Sequence, residues 1–331
     1  MRYRIDVHAD AHTRLKTMAD DVRNGLATRP RSLPPKYFYD ATGSRLFDEI
    51  TRLPEYYLTR VEESLLDGLA PRLMRALAPT DIVELGSGFS VKTRRLLAER
   101  NGAPLRYTPV DVDEATVAAS AARLLAEDAG LEVHAVVGDF ERHLVHVPAA
   151  DGRRLVLFLG STIGNLDPAG RVALLAQIRT LLRRGDRLLL GVDLVKERAT
   201  LEAAYNDAAG VTAAFNRNIL QVVNRALGAD FQPEAFRHHA FYNAGEARIE
   251  MHLVSERRQI VRIPGIGLRF ELEPAETIWT ESSYKFTRAS TTSMLAEAGL
   301  RLAAWHTDRA ARFALALAAP RARVTRRARA A

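Results

Sequence analysis

Ile82-Val83-Glu84-Leu85-Gly86-Ser87-Gly88 is the stretch that decides the fold. A mainly apolar run breaks here into Gly-x-Gly. Twenty-five positions past Gly88, a second apolar run, Tyr107 to Val112, ends at Asp113. A strand that opens into glycines, then a strand that ends in a carboxylate, marks an α/β nucleotide-type site. The glycines let the backbone approach a ligand, and the acid accepts hydrogen bonds from ribose hydroxyls. A dinucleotide fingerprint has a third glycine three positions after the second, and that position is Val91, which argues against NAD. The helix expected over Ser90–Arg100 starts with Lys92, whose ammonium suits a carboxylate better than a pyrophosphate cradle. S-adenosylmethionine, a nucleoside that carries an amino acid, meets both conditions. The residues therefore predict a methyltransferase.

The pattern around this stretch sets the fold class. Strand-like runs at 82–85, 106–112, 133–137, 155–160 and 187–193 alternate with helical stretches. That alternation predicts a parallel sheet with helices on both faces. After Lys196 two helical stretches, 196–209 and 211–227, precede alternating runs at 236–242, 247–255 and 259–263 that suggest antiparallel strands. A helix at 290–299 and strands at 301–306 and 312–318 would complete the parallel-type sheet. Residues 1–29 show helical spacing, and Pro30, Pro34 and Pro35 mark an extended link after them. A helix over Arg60–Leu77 is expected, capped by Thr59 with Glu62 at the capping-box position. The reading is thus a sheet domain over 61–195 and 286–319, a smaller α+β lobe over 1–60 and 196–285, and a disordered basic tail over 320–331. The segment 30–60 and the insertion 196–285 are expected to close together over the sheet domain.

Ligands of open α/β sheets bind beyond the carboxyl ends of the strands. Four such ends carry polar or glycine-rich sequence: Gly86-Ser87-Gly88, Asp113, Gly138-Asp139-Phe140, and Gly160-Ser161-Thr162-Ile163-Gly164-Asn165. Any one of them reads as a polar residue closing a strand; together they describe one site.

Composition narrows the class. The chain of 331 residues is 47% hydrophobic and 26% charged, as in ordinary globular proteins. It has no cysteine, which removes disulfides, thiolate metal sites and a thiol nucleophile. The formal charge is +7, but Arg321, Arg323, Arg326, Arg327 and Arg329 account for five, leaving +2 on the rest. A basic nucleic-acid face is therefore not expected. Neither a signal peptide nor a run long enough to span a membrane is read. A cytoplasmic monomer acting on a small molecule is the expectation. Only five lysines occur, Lys16, Lys36, Lys92, Lys196 and Lys285, and in so arginine-rich a chain a lysine marks a place where a guanidinium fits badly. His238 and His239 are adjacent on an expected strand and point to opposite faces, so no metal is expected there or elsewhere. Met251, Trp305 and the Phe and Tyr residues of 236–242 read as core.

The longer motifs carry a resemblance. Lys36-Tyr37-Phe38-Tyr39-Asp40, Pro54-Glu55-Tyr56-Tyr57, Glu84-Leu85-Gly86-Ser87-Gly88, Gly160-Ser161-Thr162-Ile163-Gly164-Asn165 and Tyr205-Asn206-Asp207 follow in that order. Over roughly residues 30 to 318 the chain resembles the amino-acid Nα-methyltransferases that make trimethylated histidine, hercynine, for ergothioneine biosynthesis. The resemblance implies a Rossmann-like class I methyltransferase sheet with S-adenosylmethionine as cofactor. It places the cofactor contacts on Gly86, Lys92, Asp113, Asp139 and Phe140. It places the amino-acid contacts on Tyr56, Asn165 and Tyr205, and the imidazole contacts on Met251, Glu281 and Ser283. Methyl transfer requires a neutral amine, and Tyr39 or water is the candidate proton acceptor. The same chemistry on tryptophan or tyrosine is the nearest alternative; a non-catalytic cofactor-binding protein is another.

Overall fold

The run Ile82–Leu85 is fully enclosed, as central parallel strands are. A computed structural model describes residues 2–8, 11–100 and 102–321. The chain opens with β1 (Tyr3–Val7), α1 (Ala11–Ala27), β2 (Arg31–Ser32), α2 (Ala41–Arg52) and α3 (Tyr57–Leu77). Next come β3 (Asp81–Leu85), α4 (Thr93–Ala98), β4 (Leu105–Asp111), α5 (Glu114–Glu127), β5 (Leu131–Val137) and the single turn α6 (Phe140–His143). Then follow β6 (Arg154–Phe158), α7 (Pro168–Leu181), β7 (Arg187–Asp193), α8 (Arg198–Ala203) and α9 (Val211–Leu227). Strands β8 (Phe236–Asn243), β9 (Arg248–Ser255), β10 (Gln259–Ile263), β11 (Leu268–Leu272) and β12 (Thr277–Tyr284) precede α10 (Arg288–Glu297), β13 (Leu300–Thr307) and β14 (Phe313–Pro320).

Eight strands form the main sheet in the order β1-β5-β4-β3-β6-β7-β14-β13. The first six run parallel; β14 is antiparallel to β7, and β13 to β14, so the sheet is mixed rather than wholly parallel. A smaller sheet, β2-β12-β9-β8, stands beside it with the hairpin β10-β11. Burial supplies the driving force. Leu188, Leu189 and Leu190 are fully buried on alternating faces of β7, each side chain contributing about 1.5–3 kcal/mol.

Four expectations need correcting. Residues 3–7 belong to the main sheet, paired with β5, and not to the substrate lobe. Their mixed polar sequence hid a strand on the sheet's edge. The helix after Gly88 covers only Thr93–Ala98. Helix α3 starts at Tyr57 without a side-chain cap, and Glu62 is buried inside instead of capping it. Phe241 lies between His239 and His252 in a ring stack, not in the core. The two regions share one apolar core: Ile82, Leu157 and Leu189 of the main sheet belong to the same cluster as Phe215, Leu253 and Ile278. Beyond Arg321 the basic tail lies outside the described residues. Among the described residues no helix is long and apolar enough to cross a membrane.

Candidate active site

The glycine turn is built for close approach. Gly86 and Gly88 have φ of +66° and +47°, which side chains other than glycine rarely adopt. A Cβ on Gly86 would lie 3.8 Å from the Phe140 ring, which itself packs against Phe158. The Ser87 hydroxyl between the glycines is buried and has no partner among the described residues. Behind the turn Glu84 accepts from the Tyr107 hydroxyl, whose oxygen is 2.7 Å from Ser90 Oγ.

Two acids share the end of β4. Asp113 caps α5: its Oδ1 accepts from Ala115 N at 3.1 Å and Thr116 N at 3.3 Å, and its Oδ2 from the Thr116 hydroxyl at 2.6 Å. An ionised carboxylate has about four acceptor positions, so one stays open. Asp111, passed over in the sequence, braces the site from inside: Oδ2 accepts from Gly88 N at 2.8 Å and Oδ1 from Asp113 N at 3.1 Å. At the end of β5, Asp139 caps α6 through Glu141 N at 2.8 Å, and Lys36 Nζ stands 3.8 Å from its other oxygen. Lys36 also pairs with Asp21 at 2.8 Å. Lys92 pairs with the buried Glu62, whose oxygens accept from Gly160 N at 2.9 Å. Gly191 is what makes room for Glu62, since a Cβ there would be 2.1 Å from its Oε1.

Beyond this turn lies a cleft enclosing about 540 Å³, its open mouth included. Tyr39, Tyr56, Asn165, Tyr205, Met251, Glu281 and Ser283 all line it. Gly86, Lys92, Asp113, Asp139 and Phe140 do not; they gather at the carboxyl edge of the sheet. Gly160 lines the cleft and adjoins Lys92, so the two groups meet there.

Each motif has a local reason. Asp40 accepts from Gly43 N at 2.7 Å and caps α2, while Asn218 of α9 donates to the same oxygen at 2.7 Å. Gly43 is required because a Cβ would strike Phe38 O at 1.7 Å. This turn fixes Tyr39 against Phe47 and Phe215 at ring distances of 5.6 and 5.8 Å. After β6, Gly160 and Ser161 take left-handed conformations, and Ser161 Oγ accepts from Asp193 N at 2.9 Å. A Cβ on Gly164 would lie 2.8 Å from Tyr284 O, so glycine lets β12 pass beside Asn165. Asp207 caps α9 through Val211 N and Thr212 N, both at 2.8 Å, and sets Tyr205 at its entrance.

Electrostatics separates the roles. Glu281 lies opposite Met251 across β12 and β9. Burial pushes its carboxyl up to about 7, partly offset by the charge of Lys285, and no group among the described residues hydrogen-bonds to it. Tyr205 is buried, with its oxygen 2.7 Å from Ser283 Oγ. Lys285, fully buried and without a role in the sequence reading beyond its rarity, donates to Tyr205 at 3.0 Å, Ser283 at 2.9 Å and Asp193 at 2.9 Å. Asp193 also accepts from Tyr57 at 2.8 Å and Lys196 at 2.6 Å. Burial lowers Lys196 to about 8.

Tyr39 presents its phenol at the cleft. Burial of its hydroxyl, then the charges of Glu281 and Asp111, raise its pKa above the ordinary phenol value. The residue as a whole is 38% exposed, so solvent tempers the size of this effect but not its direction. The phenol stays protonated at neutral pH. Phe47, Ile50 and Phe215 also line the cleft and are not legible as site residues, because their apolar side chains read as core.

A glycine turn with positive φ, an unpartnered buried hydroxyl and acids on successive strand ends fit a nucleoside that carries an amino acid. With this sheet order, they define an S-adenosylmethionine-dependent methyltransferase of class I. The chain belongs to the histidine-specific, S-adenosylmethionine-dependent methyltransferase family, whose model matches residues 18–320. It is 50% identical over 310 residues to histidine N-alpha-methyltransferase of Mycolicibacterium smegmatis, covering 93% of this chain and 96% of that protein. The protein of the same name from Mycobacterium tuberculosis is 49% identical over 301 residues, covering 90% and 94%. Ergothioneine biosynthesis protein 1 of Schizosaccharomyces pombe is 29% identical over 266 residues, 76% of this chain and 34% of that protein.

Proposed function

We propose that the cleft selects L-histidine through its imidazole and presents the α-amine for three methylations, giving hercynine, the first step of ergothioneine biosynthesis. The Glu281 carboxylate carries this reading. It is half-buried, has no hydrogen-bond donor among the described residues and faces Met251 in the cleft. An imidazole N–H supplies the missing hydrogen bond, and the ring lies against the Met251 thioether. A carboxylate left against the apolar face of an indole would remain unpaired at a cost of a few kcal/mol. The names of the relatives agree with histidine as substrate and ergothioneine as the route.

Bound S-adenosylmethionine supplies an electrophilic methyl group on sulfur. The chain's own residues do the rest by placement. Gly86 admits the cofactor backbone, Lys92 meets its carboxylate, Asp113 its ribose, and Asp139 and Phe140 its base. Tyr56, Asn165 and Tyr205 hold the amino-acid end without adding charge. The neutral Tyr39 phenol orients the amine between the two halves. In-line placement of a neutral amine in a dry cleft supplies most of the acceleration such a transfer needs. The amine gives up a proton to water before each transfer; after the third methyl group the nitrogen has no lone pair, and the reaction stops.

Purified protein incubated with S-adenosylmethionine and the twenty amino acids tests the reading by mass shift. A ladder of one, two and three methyl groups on histidine is the expected result. Greater turnover of tryptophan or tyrosine would overturn the specificity and leave the chemistry standing.

A further inference from the structure

Trp279 pairs with His252 and Glu281 with Met251, which leaves Thr280 as an extra residue without a partner on β9. In a regular strand, residues 279 and 281 share a face. Here Trp279 stacks on His252 outside the cleft, with ring centroids 5.8 Å apart, while Glu281 lines the cleft. The extra residue reverses the alternation, so Glu281 faces inward only because of the bulge.

The bulge is held by one amide. Thr280 is 1% exposed; its hydroxyl is 2.6 Å from Asn216 Oδ1 and 3.0 Å from Met251 O. Asn216, on α9, is fully buried. Its neighbours fix its orientation. His252 O, 3.1 Å from Nδ2, can only accept, so the nitrogen faces that carbonyl and the oxygen faces Thr280. The second Nδ2 hydrogen points at His238 Nδ1, 2.9 Å away, which must carry a lone pair. The ring proton of His238 is then on Nε2, donated to Tyr205 O at 2.8 Å. One side chain thus ties the bulge beside Glu281, the strand that carries Met251, and the backbone of Tyr205. Neither Asn216 nor Thr280 lines the cleft.

We infer that Asn216 and Thr280 are positioning residues that set how Glu281 and Tyr205 meet the amino acid, and so help to choose its side chain. A buried network with every member satisfied holds a single geometry. The inference rests on the reading of Glu281 as the group that meets the imidazole.

Thr280→Val keeps the shape and removes the hydroxyl; Thr280→Ser keeps the hydroxyl. Both are made alone and with Glu281→Ala, and KM for histidine, kcat and S-adenosylmethionine affinity are measured. Thr280→Val should raise KM for histidine about tenfold or more, and Thr280→Ser should stay within about twofold of wild type. Cofactor affinity should hold within about twofold, and in the Glu281→Ala background Thr280→Val should add less than about twofold. An unchanged KM in Thr280→Val, or an equal increase in both backgrounds, overturns the inference. If Glu281→Ala itself leaves KM unchanged, the reading of Glu281 falls; if it raises KM while Thr280→Val does not, only the positioning role falls. Should Thr280→Val not fold, Asn216→Asp carries the same test, since it keeps the acceptor for Thr280 and loses the donors to His252 O and His238.

Discussion

The buried ammonium of Lys285 donates to the phenol oxygen of Tyr205 at 3.0 Å. Its other hydrogens go to Ser283 and Asp193, so all three donors are used. With Lys285 filling acceptor positions on both hydroxyl oxygens, one O–H of the Tyr205–Ser283 pair is left to donate into the cleft. Asp193 also pairs with Lys196 on its other side.

Lys285→Met should therefore damage both stability and function. It removes one of two cations paired with the buried Asp193 and leaves Lys196 in place, so the loss should fall below the about 3–5 kcal/mol of a fully broken buried pair. Tyr205→Phe should lose less stability while also raising KM for histidine. Chemical denaturation beside steady-state kinetics checks the contrast. Equal stability of Lys285→Met and wild type would show that the ammonium is not the brace described.

Glu281→Gln should stabilise the protein at alkaline pH. Its carboxyl ionises near 4.5 when exposed and at about 7 in the fold. Between those values the folded state holds a proton that the unfolded chain has lost, so stability falls as pH rises through that window. The ionised carboxylate then costs on the order of 3 kcal/mol above pH 7. The Gln variant should melt a few degrees higher at pH 8, little changed at pH 5, and bind histidine more weakly. Melting curves at the two pH values decide it, and a gain at pH 5 as large as at pH 8 contradicts it.

Asp113→Ala should weaken S-adenosylmethionine binding by about 1.5–3 kcal/mol, the worth of charge-assisted hydrogen bonds. Loss of the α5 cap should add about 1 kcal/mol of instability. Asp111→Asn should weaken binding through the Gly88 turn, because its Oδ2 accepts from Gly88 N. Calorimetric titration separates these effects from melting. Full cofactor affinity in folded Asp113→Ala would remove it from the site.

Gly164→Ala should spare the cofactor and harm the amino acid. The added methyl would meet Tyr284 O at 2.8 Å, so the turn before Asn165 must move away from β12. Overpacking of this kind costs about 1–3 kcal/mol. KM for histidine should rise while S-adenosylmethionine affinity holds. A parallel loss of both would mean that the turn serves the whole domain.

Much of this was readable along the chain, for reasons that are local. Central strands such as Ile82–Leu85 and Arg187–Asp193 are enclosed on both faces, so their apolar runs announce them. Gly86, Gly88, Gly160 and Gly164 stand where φ or a neighbouring strand excludes a Cβ, and glycine is visible in any sequence. Of the lysines beside motifs, Lys36, Lys92 and Lys285 each pair with a carboxylate. Tyr39, Tyr56, Asn165, Tyr205, Met251, Glu281 and Ser283 follow from the motifs and the resemblance, but nothing in the sequence shows that they share one cavity. Pairing decided the rest. Strand Tyr3–Val7 has too weak an alternation to be seen until β5 offers it an edge. Two partners of Lys285, Tyr205 and Asp193, lie far from it in sequence. The bulge at Thr280 exists only as a mismatch between two strands, so no local pattern records that Glu281 turns inward. Secondary structure follows from the periodicity of one segment; register, burial of charge and the direction of a side chain are properties of two segments in contact, and only the tertiary fold supplies the second.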